Sequence, residues 1–584
     1  MIATLHTGSL IEGRYELRRQ RPGDGPQLVF DGVDRRTGSP VEIRVVTQAC
    51  DDDTRQRTSR TVSFSNQLAP DDPAAAKLAA QVVLQRKGRV LDAMAVASAA
   101  LRNHLDDEGR GLFDQLQAVT SEFSALALNG PGRTAFPEYE KRLRALEQKQ
   151  ESLEAAISRR SGVFRAATQP LTLAAVQGAI PEDAALVEFI KYQTFTATVA
   201  EDDDAYGEAR YAAYVLRPRG DPVRADLGSA AKIDTGIESL RSALRDPRRA
   251  DVKKLSRTLD AMVFEPIRSA LGDTPRVLIS PDGALNLVPF EALVDARGRY
   301  AIESYSIGYL TSGRDLLRLQ VPRESQSGPL VLADPEFGEP GGPASRPGRS
   351  ARGARRSITS ARDLRSTYFA PLSGTAQEAK EIHSLFPQAT VLTRNRATKA
   401  ALRSAQAPAI LHIASHGFFL EDTMPIGGAG GTRAGAAAAQ ALENPLIRSG
   451  MALAQANARR GPTDSGILTA LEAAHLNLWG TQLVTLSACD TGVGEVVQGE
   501  GVYGLRRAFF LAGAEAIVMS LWPVSDRVTR EMMTSYYTGL KNGRGRGDAL
   551  RRAQLQMLKR GGRSHPFFWA GFIQAGAWTP LEID

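Results

Sequence analysis

From about residue 184 the chain alternates short apolar runs with amphipathic stretches. The apolar runs are ALVEFIKY, RYAAYVLR, RVLISPDG, PLVLADP, ATVLT, AILHIASHG, LVTLSACD and AEAIVMSLW. Apolar runs of about five to seven residues set between helices predict strands buried on both faces, the pattern of a mostly parallel sheet. A helix is predicted over 233–246, and the class is α/β with covered sheet faces. Residues 69–165 follow a different period. Apolar residues recur there at three-and-four spacing, with Asp71-Asp72-Pro73 marking a helix start. A later helix follows Pro137 and carries Leu143, Leu146 and Leu153 among alternating charges, which predicts a long, exposed, coiled-coil-like element. No repeat period is evident in this region. Residues 12–47 (IEGRYELRRQ, PQLVFDGVD, VEIRVV) read as a small β-meander. Two segments, 334–366 and 421–442, are rich in Gly, Pro, Ser, Ala and Arg and are expected as loops.

Length and composition narrow the classes. A chain of 584 residues suggests roughly two to four domains. With 42% hydrophobic and 23% charged residues it is ordinary for a soluble globular protein. There is no apolar run near the length of a membrane span. The opening MIATLHTGSLIEGRYELRR lacks the order of a secretory signal. Two cysteines, Cys50 and Cys489, cannot form a disulfide framework, and neither has a C-x-x-C partner. A cytoplasmic location is expected. The net charge of +7 is concentrated. Arg346, Arg349, Arg352, Arg355, Arg356, Arg362 and Arg365 face one acid, Asp363, so this stretch alone carries +6. It has no aromatic residue, which argues for a solvated loop and against a nucleic-acid partner.

The chemistry collects at two strand ends. AILHIASHG ends at His416-Gly417 and LVTLSACDTG reaches Cys489-Asp490, 73 residues after the histidine. In an open α/β sheet the functional groups gather where strands pass into loops. An imidazole beside a thiol lowers its pKa and then carries its proton. The Gly417 and Cys489 amides are suited to an oxyanion hole. His412 shares strand parity with Ala414 and His416. It is expected as a core histidine, with support of His416 as the alternative. Gly499 to Gly504 matches G-x-G-x-x-G, but it begins too far from the preceding strand for a dinucleotide turn and is expected to pack near the site. No phosphate-loop or metal-binding motif is present, so no cofactor and no metal are expected.

The words SHGFF, NPLIRSGMALAQAN, GILTALEAAHLNLWGTQLVTLSACDTGVGEVVQGEGVYGLRRAFFLAGAEAIVMSLWPVSD and HPFFWAGFIQAG resemble the CHAT domain, a bacterial branch of the caspase-like cysteine peptidases usually joined to TPR repeats. RVLISPDGALNLVPFEALV and SYSIGYLTSGRDLLRL are similar to its first half. The resemblance spans about 185–578, and the helices at 69–165 resemble the segment that joins repeats to the domain. The meander is faintly similar to the first strands of a kinase small lobe. It lacks the glycine-rich loop and has Arg44 where the lysine would stand, so no catalytic role is expected of it.

The resemblance implies a caspase-hemoglobinase-like α/β/α sandwich, a pseudo-caspase half and an active caspase-like half, preceded by an α-helical region. The expected division is a β-rich segment over 1–60, a helical region over 61–175, the first half over 185–325, an Arg/Gly/Pro-rich loop over 326–370 and the catalytic half over 371–584. It implies a cysteine endopeptidase with Cys489 as nucleophile, His416 as its base, and Gly417 with Cys489 at the oxyanion. In SLWPVSD no arginine stands where caspases hold an acidic P1 side chain. Asp526 ends that motif, and separase-like relatives place an acid in the S1 pocket. Asp526 is therefore expected to select a basic P1 residue, with Asp490 as second candidate and Trp522 as a wall. Arg346–Arg365 and Arg459-Arg460 then become candidate sites of self-cleavage or self-inhibition. The expected partners are a protein substrate and an activating protein acting through the N-terminal region, with no membrane. The role implied is a regulated bacterial effector protease. The alternative is a catalytically silent CHAT scaffold.

Overall fold

The computed structural model describes residues 10–11, 15–21, 27–34, 40–46, 52–88, 107–129, 136–160, 171–196, 205–339, 368–420, 446–458, 466–488, 495–497 and 501–583. Cys489, Asp490, Arg346–Arg365, Arg459-Arg460 and the 421–442 segment lie outside them. The chain divides into two compact units, Met1–Thr58 and Ser59–Asp584. The first holds an antiparallel meander, β1 (Leu10–Ile11), β2 (Tyr15–Arg21), β3 (Gln27–Asp34) and β4 (Pro40–Val46), paired in that order.

In the second unit the apolar runs form one eleven-stranded sheet. Its strands are β5 (Ala184–Phe195), β6 (Tyr206–Leu216), β7 (Val223–Ser229), β8 (Arg276–Ser280), β9 (Ser306–Tyr309), β10 (Leu330–Pro335), β11 (Thr390–Arg394), β12 (Ile410–Ala414), β16 (Leu483–Ser487), β19 (Ala516–Ser520) and β20 (Phe572–Gly576). The order is β11-β10-β12-β16-β19-β20-β9-β8-β5-β6-β7. All neighbours are parallel except β19/β20, β5/β6 and β6/β7. Every residue of β12, β16, β19 and β20 is buried. Successive side chains of a strand point to opposite faces, so both faces of the sheet are covered. This is the mixed α/β class with a mostly parallel sheet and a helical N-terminal region.

Two features depart from the expected division. Leu330–Pro335, which the 326–370 bounds of the expected division assign to the Arg/Gly/Pro-rich loop, is strand β10, as its apolar run PLVLADP predicts, and sits inside the sheet between β11 and β12. Its six residues are nearly all buried, so LVLADP behaves as core. The two halves also share one sheet. The join is the pairing of β20 with β9 through Ala575 and Tyr309.

Three long helices precede the sheet, Pro73–Arg86, Asp107–Asn129 and Phe136–Arg160. Asp72 caps the first by accepting from the Ala74 N–H at 2.9 Å, with Pro73 in its first turn. Leu143, Leu146 and Leu153 of the third are buried while Lys141, Arg142, Arg144, Glu147 and Lys149 are exposed, so one leucine stripe packs and the charged face stays in solvent, as the coiled-coil-like pattern predicts. Lys87 fastens the end of the first helix to the sheet. Its buried ammonium donates to Glu188 Oε2 at 3.0 Å, to the Phe189 and Ser280 carbonyls at 2.8 Å and to Ser280 Oγ at 2.6 Å. A charge taken this deep is tolerated because its donors are satisfied.

The first half buries a second ionisable cluster. Burial pushes the Glu291 carboxyl up to about 7, against the Tyr309 hydroxyl that donates to it at 2.6 Å. A raised carboxyl means the folded chain keeps a proton that the unfolded chain has lost. This contribution is therefore fully present below the ordinary carboxyl range and is lost as pH rises through about 7, by up to about 3 kcal/mol. Glu291→Gln is expected to be more stable relative to wild type at about pH 8 than at about pH 5. Urea midpoints of the two chains at both pH values check this, and parallel curves would refute it.

Candidate active site

Ala414, the last residue of β12, pairs with Ser487, the last of β16. His416 is the second residue beyond Ala414, and Cys489 the second beyond Ser487. The sheet register therefore levels the two strand ends. Beyond Ala414 the chain leaves the sheet. The Ser415 hydroxyl donates to the Ala452 carbonyl, and His416–Phe419 forms β13, antiparallel to β14 (Ser449–Ala452), which pairs with β15 (Ile467–Thr469). His416 faces Ala452 and Gly417 faces Met451 across this small sheet. The parity that placed His412 and His416 on one face is broken at Ser415, because the two histidines belong to different sheets.

His416 is half-buried between two phenylalanines, with ring centroids 5.3 Å from Phe337 and 5.6 Å from Phe369. Its Nε2 lies 2.8 Å from the Ala370 carbonyl oxygen. A carbonyl only accepts, so Nε2 carries the hydrogen and the neutral ring has its lone pair on Nδ1. Asn457, buried, sets this cradle. Its amide nitrogen donates to the Phe369 carbonyl at 3.0 Å and to the Gly338 carbonyl at 3.1 Å. Its Oδ1 accepts from the Phe369 N–H at 2.9 Å, and its backbone N–H donates to the Phe337 carbonyl at 2.7 Å. The sequence reading quoted Asn457 inside NPLIRSGMALAQAN without assigning it a part. Its signal is that an asparagine buried among alanines must find several partners. With His416 read as a base, Asn457→Ala is expected to lower kcat about tenfold with KM little changed, since it loosens that ring and not the cleft. A larger change in KM than in kcat would refute that role.

A small cleft, partly open to solvent, adjoins His416. Ser415, His416, Ser487 and Ala488 bring the strand ends to it. Thr375 and Glu378 come from the Ser373–Leu385 helix, and Ser520, Val524 and Asp526 from β19 and the helix Asp526–Lys541. The Ser520 hydroxyl donates to the carbonyl of Ala488, the residue before Cys489. A Cβ on Gly374 would come within 2.8 Å of Asp526 Cβ, so the glycine permits the two helix starts to meet here. Trp522 lies behind this wall and not on it. It is 2% exposed, its indole N–H donates to the Phe567 carbonyl at 3.1 Å, and its ring packs over Gly571.

His412 is wholly buried in β12. Its Nδ1 lies 2.9 Å from the Tyr537 hydroxyl, which donates to Thr485 Oγ1 at 3.0 Å. Its Nε2 is 3.1 Å from Glu378 Oε1, close enough for an ion pair but not aligned as a hydrogen bond. Gly501–Tyr503 of the G-x-G-x-x-G stretch is a short strand, β18, paired with β17 (Glu495–Val497), and the helix begins only at Leu505. Among the described residues no group of three or more His, Cys, Asp or Glu is placed to hold a metal ion. No helix among them is long and apolar enough to cross a membrane.

The family model described as "CHAT domain" matches residues 253–577. The chain is 33% identical over 121 residues to tetratricopeptide repeat protein 28 of Homo sapiens, covering 21% of this chain and 5% of that protein. The Mus musculus protein of that name is 33% identical over 116 residues, covering 20% and 5%. The chain thus spans about a twentieth of the length of the curated relatives it matches. Among solved structures it is similar to the Saccharomyces cerevisiae separase-securin complex, at 9% identity and a TM-score of 0.36 over 81% of this chain and 41% of that one.

Proposed function

The chain belongs to the CHAT-domain family, and on that premise we propose that it is a caspase-like cysteine endopeptidase acting after a basic residue. One observation carries the reading. The His416 ring is fixed at Nε2 by the Ala370 carbonyl, on a cleft that is also lined by Ala488, immediately before Cys489. In the proposed reaction His416 Nδ1 takes the Cys489 thiol proton, and the thiolate sulfur bonds to the scissile carbonyl carbon. The Gly417 and Cys489 amides hold the oxyanion. The imidazolium then gives its proton to the leaving amine as the peptide bond breaks. Water, deprotonated by the same ring, releases the acyl group and restores the thiol. Asp526 at the cleft selects the P1 side chain, with Asp490 as the other candidate. The 1–60 segment and the helical region would receive an activating protein, making the chain a regulated effector of the bacterial kind.

A fluorogenic peptide panel with Arg, Lys, Asp, Ala and Leu at P1, run on wild type and Cys489→Ala, tests this. Cysteine-dependent turnover of the Arg and Lys substrates is expected. Turnover of the Asp substrate would keep the peptidase and discard the basic preference. No turnover, together with no labelling of Cys489 by a peptidyl electrophile, would favour a scaffold. Intact mass after incubation tests the arginine-rich stretches, where fragments that vanish in Cys489→Ala are expected.

A further inference from the structure

The cleft beside His416 carries a carboxylate that the sequence does not single out. Glu378 lines it, 2% exposed, from the second turn of the Ser373–Leu385 helix. Among the described residues, the acidic ones lining this cleft are Glu378 and Asp526, and no lysine or arginine lines it. Glu378 Oε1 makes no hydrogen bond, and its near neighbour is the buried His412, whose other nitrogen is engaged by Tyr537. Independently, Ser487, the residue two before Cys489, is 5% exposed and lines the same cleft, and its hydroxyl has no hydrogen-bond partner among the described residues. Buried polar atoms are rarely left unmade, and each costs stability until something completes it.

The unsatisfied groups are of one kind. Glu378 brings carboxylate oxygen and Ser487 a hydroxyl oxygen, all able to accept. An ammonium or guanidinium is a cluster of donors with no acceptor, and its charge complements the two acids that line the cleft. A carboxylate guest would meet two like charges, and an aliphatic guest would leave every one of these atoms unmade.

We propose that Glu378, with Ser487, forms the floor of the P1 pocket and is its specificity-determining carboxylate for a cationic side chain, Asp526 standing at the rim. This rests on the basic-P1 reading above and assigns the main charge to a different residue. Glu378 takes no part in bond-breaking.

Benzamidine, a cation of the required shape, and benzamide, its neutral counterpart, test the pocket by binding alone, so latency of the enzyme does not matter. Affinities are measured by ligand-observed NMR on the full chain, as wild type, Glu378→Gln, Ser487→Ala and Asp526→Asn. Wild type is expected to prefer benzamidine, Glu378→Gln to lose more than about tenfold of that affinity with benzamide unchanged, and Ser487→Ala to lose a few-fold. Benzamidine held equally by wild type and Glu378→Gln overturns this inference, and loss in Asp526→Asn alone would then leave the basic-P1 reading standing. Equal binding of both probes to wild type overturns both. If Glu378→Gln fails to fold, Ser487→Ala, which leaves the His412 contact intact, decides: unchanged benzamidine binding there counts against the pocket.

Discussion

His416→Ala is expected to reduce kcat/KM on a P1-Arg substrate by about a thousandfold or more. A positioned general acid–base supplies about 10²–10⁴ in rate, and in the proposed reaction one ring serves both proton transfers. The ring is built to serve as it stands. The Ala370 carbonyl fixes which nitrogen carries hydrogen, and Phe337 and Phe369 fix its plane. Alanine leaves that cradle empty and removes the group to which the proposed reaction assigns the Cys489 proton. The double variant His416→Ala/Cys489→Ala is expected to be no worse than either single one, because residues that act as a unit lose their contribution together. A second readout does not need turnover. Alkylation of Cys489 by iodoacetamide tracks its thiolate fraction and is expected to slow in His416→Ala. Cysteine-dependent turnover within about tenfold of wild type in His416→Ala would remove the histidine from the mechanism.

The strands that hold this site are legible because their cause is local. ILHIA, LVTLS and AIVMS are apolar at consecutive positions, which only a strand covered on both faces tolerates. The reactive residues are legible for the same reason, since they stand where those runs stop. What the sequence does not carry is pairing at a distance. The joining of β20 to β9 depends on one register contact between Ala575 and Tyr309. The departure of the chain at Ser415 depends on an acceptor, the Ala452 carbonyl, 37 residues away. Asn457 reads as one more polar residue in an alanine-rich stretch until Phe369, 88 residues earlier, is beside it. Glu378 reads as a surface glutamate in an amphipathic helix until His412 and the cleft are seen against it. The leucine stripe at 143–153 is legible from its spacing, but spacing does not name the element that covers it.

Glu472→Ala is expected to destabilise the chain by about 3–5 kcal/mol, the cost of leaving the other member of a buried ion pair alone. Glu472 Oε1 and Lys399 Nζ meet at 2.8 Å with side chains 3% and 2% exposed. Without the carboxylate, the ammonium keeps the Ile467 carbonyl at 3.2 Å as its described partner. The same carboxylate accepts from Ser121 Oγ at 2.5 Å, on the Asp107–Asn129 helix, and from the Thr469 N–H at 2.9 Å in a reciprocal cap of the short helix it belongs to. Removing it therefore also loosens the docking of the N-terminal helix and the end of β15. Since β15 pairs with β14 and β14 with β13, the strand that begins at His416 is the last link of this chain. Urea unfolding reads the stability, and hydrogen exchange of the Phe418 and Leu420 amides reads the link, which is expected to quicken. Lys399→Met/Glu472→Leu should recover much of the loss, because an apolar pair of similar volume leaves no stranded charge. Arg142→Ala, which breaks the half-exposed Arg142–Glu122 pair on the same helical region, is expected to cost no more than about 1 kcal/mol. A loss in Glu472→Ala no greater than in Arg142→Ala would mean that the buried pair is not what binds the helical region to the sheet that ends at β15.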